Sequence, residues 1–195
     1  MATSLSQIRF KIESQIRPVS LDNDDVVDWC NESNADIGLN FNLPADSASI
    51  SLTSTDLQYD LPADLKIINR LRLQSVIDEG VDAELQINYR IYNGKIILPR
   101  VLWIAPDELV VDYYKHMTVF SSVDDEIELD DRYAPIYIFY GLMKFYELPE
   151  TVERIGTQEA NRKLQTFAMR YQSMKSQLTA YQSLSNEPVV IDGRW

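Results

Sequence analysis

The hydrophobic period of this chain changes twice, and that change limits the folds open to it. At the N-terminal end Leu5, Ile8, Ile12 and Ile16 fall at helical spacing, and Pro18 stops the run. A second helix is expected to start near Asp22 to Asp25, where carboxylates complement the positive end of a helix dipole. It is expected to pass through Val26, Val27, Trp29 and Cys30 towards Asp36, with Gly38 as its terminator. After Pro44 the period falls to two. Ala48, Ile50 and Leu52 alternate with Ser49, Ser51 and Thr53, as in a half-buried strand. Ser54-Thr55-Asp56 reads as a turn into a return strand, Leu57 to Leu61, which Pro62 ends by removing a ladder donor.

The two-residue period persists for about seventy residues. Leu65 to Leu73 suits a strand, with a helix as the other option. Leu85, Ile87, Tyr89 and Ile91 alternate with Gln86, Asn88 and Arg90, and Lys95 to Leu98 follows Asn93-Gly94. Asn-Gly between two such runs is a strong hairpin signal, because both central residues of the tight turn need positive φ. Leu109, Val111 and Tyr113 give a further strand. Strands in series without intervening helices predict an antiparallel sheet or small sandwich.

Helical spacing then returns. The acidic run Val123 to Asp131 reads as a solvated linker with a helix cap. A helix from Asp131 to Leu148, with Pro135 in its first turn, is apolar nearly all round and so must be central. The last helix starts at about Thr151 or Gln158 and runs to Leu184. It carries Leu164, Phe167, Tyr171, Met174, Leu178 and Tyr181 on one side and Arg162, Lys163, Arg170 and Lys175 elsewhere. The expected class is therefore α+β. Residues 1–46 and 118–185 form a helical bundle, 47–117 an inserted β domain, and 186–195 an extended tail.

Composition narrows the function. The 195 residues carry a net charge of −12, which opposes the clustered Lys and Arg that nucleic-acid phosphates demand. Negative walls do suit a channel through which DNA slides without sticking. The 11 tyrosines suit half-buried faces and protein interfaces. One cysteine, Cys30, precludes a disulfide within the chain and fits a reducing compartment. The first ten residues lack signal-peptide form, and no stretch approaches a membrane span.

Catalytic chemistry finds little support. The single His116 has no nucleophile in a recognisable motif beside it and reads as a structural or surface residue. Cys30, flanked by Trp29 and close to Asp28 and Glu32, reads as a small buried hydrophobe, because a reactive thiol needs an electropositive setting. An acidic chain offers many carboxylate pairs for hydrolysis, and nothing selects one. No phosphate-binding glycine loop, nucleophile elbow or Cys/His metal cluster is present. No cofactor is expected. The tail is more suggestive: Pro188, Val189, Val190, Ile191 and Trp195 form an apolar run past the last helix, suited to packing on its own subunit or docking on another protein.

Several segments resemble the head-to-tail adaptor proteins of tailed bacteriophages, notably of the short-tailed type. Asp28-Trp29-Cys30-Asn31-Glu32-Ser33 looks like the family's W-x-N-x-[AS] segment, and Tyr59-Asp60-Leu61-Pro62-Ala63-Asp64 like its Y-x-L-P-x-D step. The hairpin Ile91 to Pro99, the apolar helix with Ala134, Tyr137 and Tyr140, and the long last helix complete the order across residues 4 to 184. Cys30 in place of an aliphatic residue and a long Asn34 to Pro44 connection depart from the pattern. The resemblance implies a virion protein without catalysis, located at the neck and made in the host cytoplasm. Its copies would form a ring, typically of twelve, between the portal protein and the tail tube or nozzle. DNA would pass through without specific binding, and no membrane would be involved. The tail residues 188–191 and Trp195 become candidates for portal docking. Arg162, Arg170, Lys175 and Tyr171 become candidates for the ring interface. Other readings are a tail-completion or baseplate adaptor, a hydrolase with an Asp/Glu pair, and a soluble regulatory binding module.

Overall fold

The computed structural model describes residues 3–53, 56–74, 82–84, 89–98 and 108–185. The chain divides into two units, Met1–Phe41 with Met117–Trp195 and Asn42–His116.

In the first unit, the Ser4 hydroxyl accepts from the Gln7 N–H and starts α1 (Leu5–Ile16), which buries Leu5, Ile8, Ile12 and Ile16. Asp22 caps α2 (Asn23–Asn40) by accepting from the Asp24 N–H. This helix runs past the terminator expected at Gly38, so part of the Asn34 to Pro44 connection is helical. Gly38 lies beside the Met117 side chain, and the helix closes only where the Phe41 N–H donates to the Ile37 carbonyl.

The acidic run is tied down, contrary to the solvated linker expected. The Leu5 and Ser6 N–H groups donate to the Asp125 and Val123 carbonyls, and Ile127 N–H donates back to Thr3. Ile127 and Leu129 are buried, while the Asp125 carboxylate accepts from the Ser121 and Ser122 N–H groups. Asp130 starts a short 3-10 turn (Asp131–Tyr133) that feeds α3 (Ala134–Glu147). This helix is central, as its composition required, and packs on α1, on α2 and on the last helix. An added methyl at Gly141 would lie 2.6 Å from Ile12 Cδ1 and 3.5 Å from the Trp29 ring, so glycine lets α1, α2 and α3 converge. The final helical stretch is two helices, α4 (Pro149–Ile155) and α5 (Thr157–Ser185). They break at Gly156, whose φ of +84° a side chain resists.

The second unit holds two antiparallel sheets. One has the order β1-β7-β3-β4, from Ala45–Ser51 (β1), Glu108–Lys115 (β7), Leu65–Gln74 (β3) and Asp82–Glu84 (β4). The other has the order β2-β6-β5, from Gln58–Asp60 (β2), Lys95–Ile97 (β6) and Arg90–Tyr92 (β5). The expected return of Leu57 to Leu61 onto the first strand does not occur. β1 pairs with β7, far along the chain, and β2 pairs with β6. The Tyr59 hydroxyl instead bonds Thr53 and the Asp56 carbonyl, closing that segment through a side chain. Asn93 and Gly94 have φ of 50° and 71° and join β5 to β6 by the tight turn their sequence calls for. Leu65 to Leu73 is strand, its helical option excluded by pairing along β7. The buried cluster Leu71, Ile96, Leu98, Leu109, Val111 and Tyr113 draws on both sheets. The proposed strand residues Leu85 and Ile87 and the turn residues Ser54 and Thr55 lie outside the described residues.

Candidate functional site

The polar residues of α2 organise the helical unit. Asn34 lies on the buried stripe of the helix, where an apolar side chain would be ordinary, and it is 3% exposed. Its amide donates to the Thr118 carbonyl at 2.9 Å and its oxygen accepts from the Tyr137 hydroxyl at 2.6 Å. Burial pushes the Tyr137 phenol far above its ordinary value, so it remains a donor. One turn earlier, Asn31 exchanges two hydrogen bonds with the Phe120 backbone. These amides fasten the return segment 117–120 to α2.

Two carboxylates of α2 tie the other helices. Glu32 accepts from Lys144 at 2.6 Å and from the Tyr140 hydroxyl at 3.0 Å. Asp36 accepts from Lys175 at 2.7 Å and from the Tyr171 hydroxyl. Partial burial opposes ionisation at Asp36, but these donors and that of Asn40 outweigh it and hold the carboxyl below its ordinary value. For Glu32, the Lys144 bond is the largest cause of a lowered value.

The sequence-chosen residues of α5 divide between inside and outside. Tyr171 is buried, with its ring against Tyr140, and Lys175 lies over the Phe41 and Tyr171 rings. Both are occupied within their own chain by Asp36. Arg162 and Arg170 are exposed. Arg162 holds both oxygens of Glu159 within α5, and the Arg170 guanidinium lies 5.8 Å from the Phe139 ring and 5.7 Å from the Phe167 ring. Pro188, Val189, Val190, Ile191 and Trp195 lie outside the described residues.

His116 is exposed after β7, with its N–H on the Asp64 carbonyl. Cys30 is 2% exposed, and burial pushes its thiol up to about 12, away from the reactive thiolate. A groove of about 370 Å³ between α1, α3, α4 and α5 is lined by Arg17, Arg154, Lys163, Phe145 and Tyr146, with Glu159 as its one carboxylate and the Arg154 guanidinium 5.8 Å from the Phe145 ring. Glu159 is also the one carboxylate of a neighbouring groove around Gly156. Among the described residues no cluster of three His, Cys, Asp or Glu side chains could hold a metal, and no helix is long and apolar enough to cross a membrane.

Sequence reasoning missed the Asn34, Glu32 and Asp36 ties. One signal was available: with Cys30, Asn34 and Ile37 at helical spacing, an amide interrupts an otherwise apolar stripe. Its partners could not be read, because Tyr137 is 103 positions away.

The helical unit is built from both chain ends and is tied internally through Asn34, Glu32 and Asp36. The family model for the SU10 adaptor protein matches residues 3–191, and the chain belongs to that family of phage structural adaptors. No curated protein matches the chain in sequence.

Proposed function

We propose that this chain is the head-to-tail adaptor of its virion, located at the neck and without catalytic activity. Copies form a ring, typically of twelve, on the portal protein. The ring extends the DNA channel and presents a platform to the tail tube or nozzle. The observation that carries this reading is family membership across residues 3–191. The net charge of −12 supports it physically, since DNA phosphates are repelled by such walls. The tail run Pro188 to Ile191 with Trp195 is the proposed portal anchor, on the strength of its apolar and aromatic content.

Modest interfaces repeated around a closed symmetry give a stable ring even where one pair of copies is weak. The isolated chain is therefore expected to sediment as a monomer and to assemble on portal. Analytical ultracentrifugation with and without portal checks this. A chain that binds neither portal nor itself would sink the reading.

A further inference from the structure

Charge is segregated along this chain. No lysine or arginine stands between Arg17 and Lys66, and no aspartate or glutamate between Glu159 and Glu187. All of α2 falls in the first stretch, and α5 beyond Glu159 in the second.

Each helix also turns an ordered line of side chains outward. On α2, Asp25, Asp28, Glu32, Ala35 and Leu39 are all exposed and follow one another in alternating steps of three and four residues. On α5, Gln158, Arg162, Gln165, Met169, Gln172 and Ser176 are exposed in the same alternation. That spacing puts each row on one face of its helix, mostly polar with one large apolar residue. Single exposed apolar residues are ordinary on a surface. Of the exposed large hydrophobics, Leu39 at 85% and Met169 at 68% stand on these rows, whose charged members are Asp25, Asp28 and Glu32 on α2 and Arg162 on α5.

The two rows of one copy cannot meet. α2 and α5 already touch through other sides, where Asp36 meets Tyr171 and Lys175. The direction of the helices is also fixed. Asn34 pairs with Tyr137 and Glu32 with Lys144, so α2 and α3 are antiparallel. Tyr146 stacks on Phe167 and Tyr140 lies tilted against Tyr171, so α3 and α5 are antiparallel. Hence α2 and α5 run parallel.

We propose that the α2 row of one copy docks on the α5 row of the next, with the two helices parallel. Arg162 sits against Asp28, with Glu32 beside it still held by its own Lys144, and Met169 sits between Ala35 and Leu39. The register follows from spacing. Arg162 and Met169 are seven residues apart, as are Glu32 and Leu39, so both pairs span roughly 10.5 Å of helix. The antiparallel arrangement would set Met169 against the acidic start of α2. Rotation about an axis along the bundle preserves helix direction, so copies related in that way meet in the parallel sense. The contact is heterologous, the kind that closes a ring. Arg162 re-partners at little cost, because an exposed ion pair such as its bond to Glu159 is weak. The inference rests on the ring reading and adds which surfaces meet.

The double variant Leu39→Cys with Met169→Cys tests it. Both positions are exposed, and the native Cys30 is buried, so oxidation reports on the new thiols. After mixing with portal and oxidation, covalent multimers beyond the dimer are expected, with each single variant giving at most a dimer. Arg162→Glu is expected to weaken portal-templated assembly roughly tenfold, and Asp28→Lys in the same chain to restore it. Ring-sized species by sedimentation without a covalent ladder overturn the contact and leave the ring reading standing. Absence of any assembled species overturns both.

Discussion

Replacing Tyr137 with Phe removes one oxygen from the middle of the helical unit and leaves its ring in place. Tyr137 is 1% exposed and its hydroxyl donates to Asn34, itself 3% exposed. The variant strands the Asn34 oxygen in a site that water does not reach. Losing the bond and leaving that acceptor unpaired costs about 2 kcal/mol. For a chain of this length that is a fall in Tm of roughly 4–8 °C. Asn34→Leu, which also gives up the donation to the Thr118 carbonyl, is expected to cost at least as much. The double variant removes donor and acceptor together and should cost less than the sum, with a coupling of about 1 kcal/mol or more. Urea and thermal unfolding followed by circular dichroism measure all three. A change under about 0.3 kcal/mol for Tyr137→Phe, or strict additivity in the cycle, would refute the claim that this bond fastens α2 to α3.

Three further outcomes are expected. Asp36 has a folded pKa below its ordinary value, so the stability it lends is present above the unfolded value and lost as pH falls through the folded one. Asp36→Asn should flatten that part of an acid-unfolding curve by under about 1 kcal/mol, its side chain being partly solvated. Cys30 should resist maleimide at pH 8 in the native protein and label fully in denaturant, since burial both covers the thiol and pushes it up to about 12. Rapid native labelling would contradict the buried placement. Gly94→Ala meets no atom within 4 Å but must hold a φ of +71°, so a loss of about 1 kcal/mol is expected from backbone strain alone and is read as a lower urea midpoint.

Local chemistry made much of this fold legible. The carboxylates at the start of α2, the isoleucine stripe of α1, Asn93-Gly94 and the all-round apolar α3 each declare themselves within a few residues. The alternation of β1 was also readable, but its partner was not, because β7 lies beyond the whole β unit and nothing local ranks it above the nearer β2. Gly38 misled for a related reason: a glycine ends a helix only if no packing holds the next turn, and here α2 continues alongside Met117. Among the candidate interface residues, the sequence put Arg162, Arg170 and Lys175 on the basic faces of the last helix and Tyr171 on its apolar one. Packing separated them, giving Tyr171 and Lys175 to Asp36 and leaving Arg162 and Arg170 outside.

By itself, then, the sequence determined the α+β class, the order of helical and strand periods, the acidic balance and the resemblance to phage adaptors. These depend on periodicity and composition, which survive without knowledge of contacts. Tertiary structure decided which strands pair, where Asn34, Glu32 and Asp36 find their donors, and which faces of α2 and α5 remain outward. Those are contacts between residues far apart in the chain, and their energy exists only once the helices from its two ends have packed together.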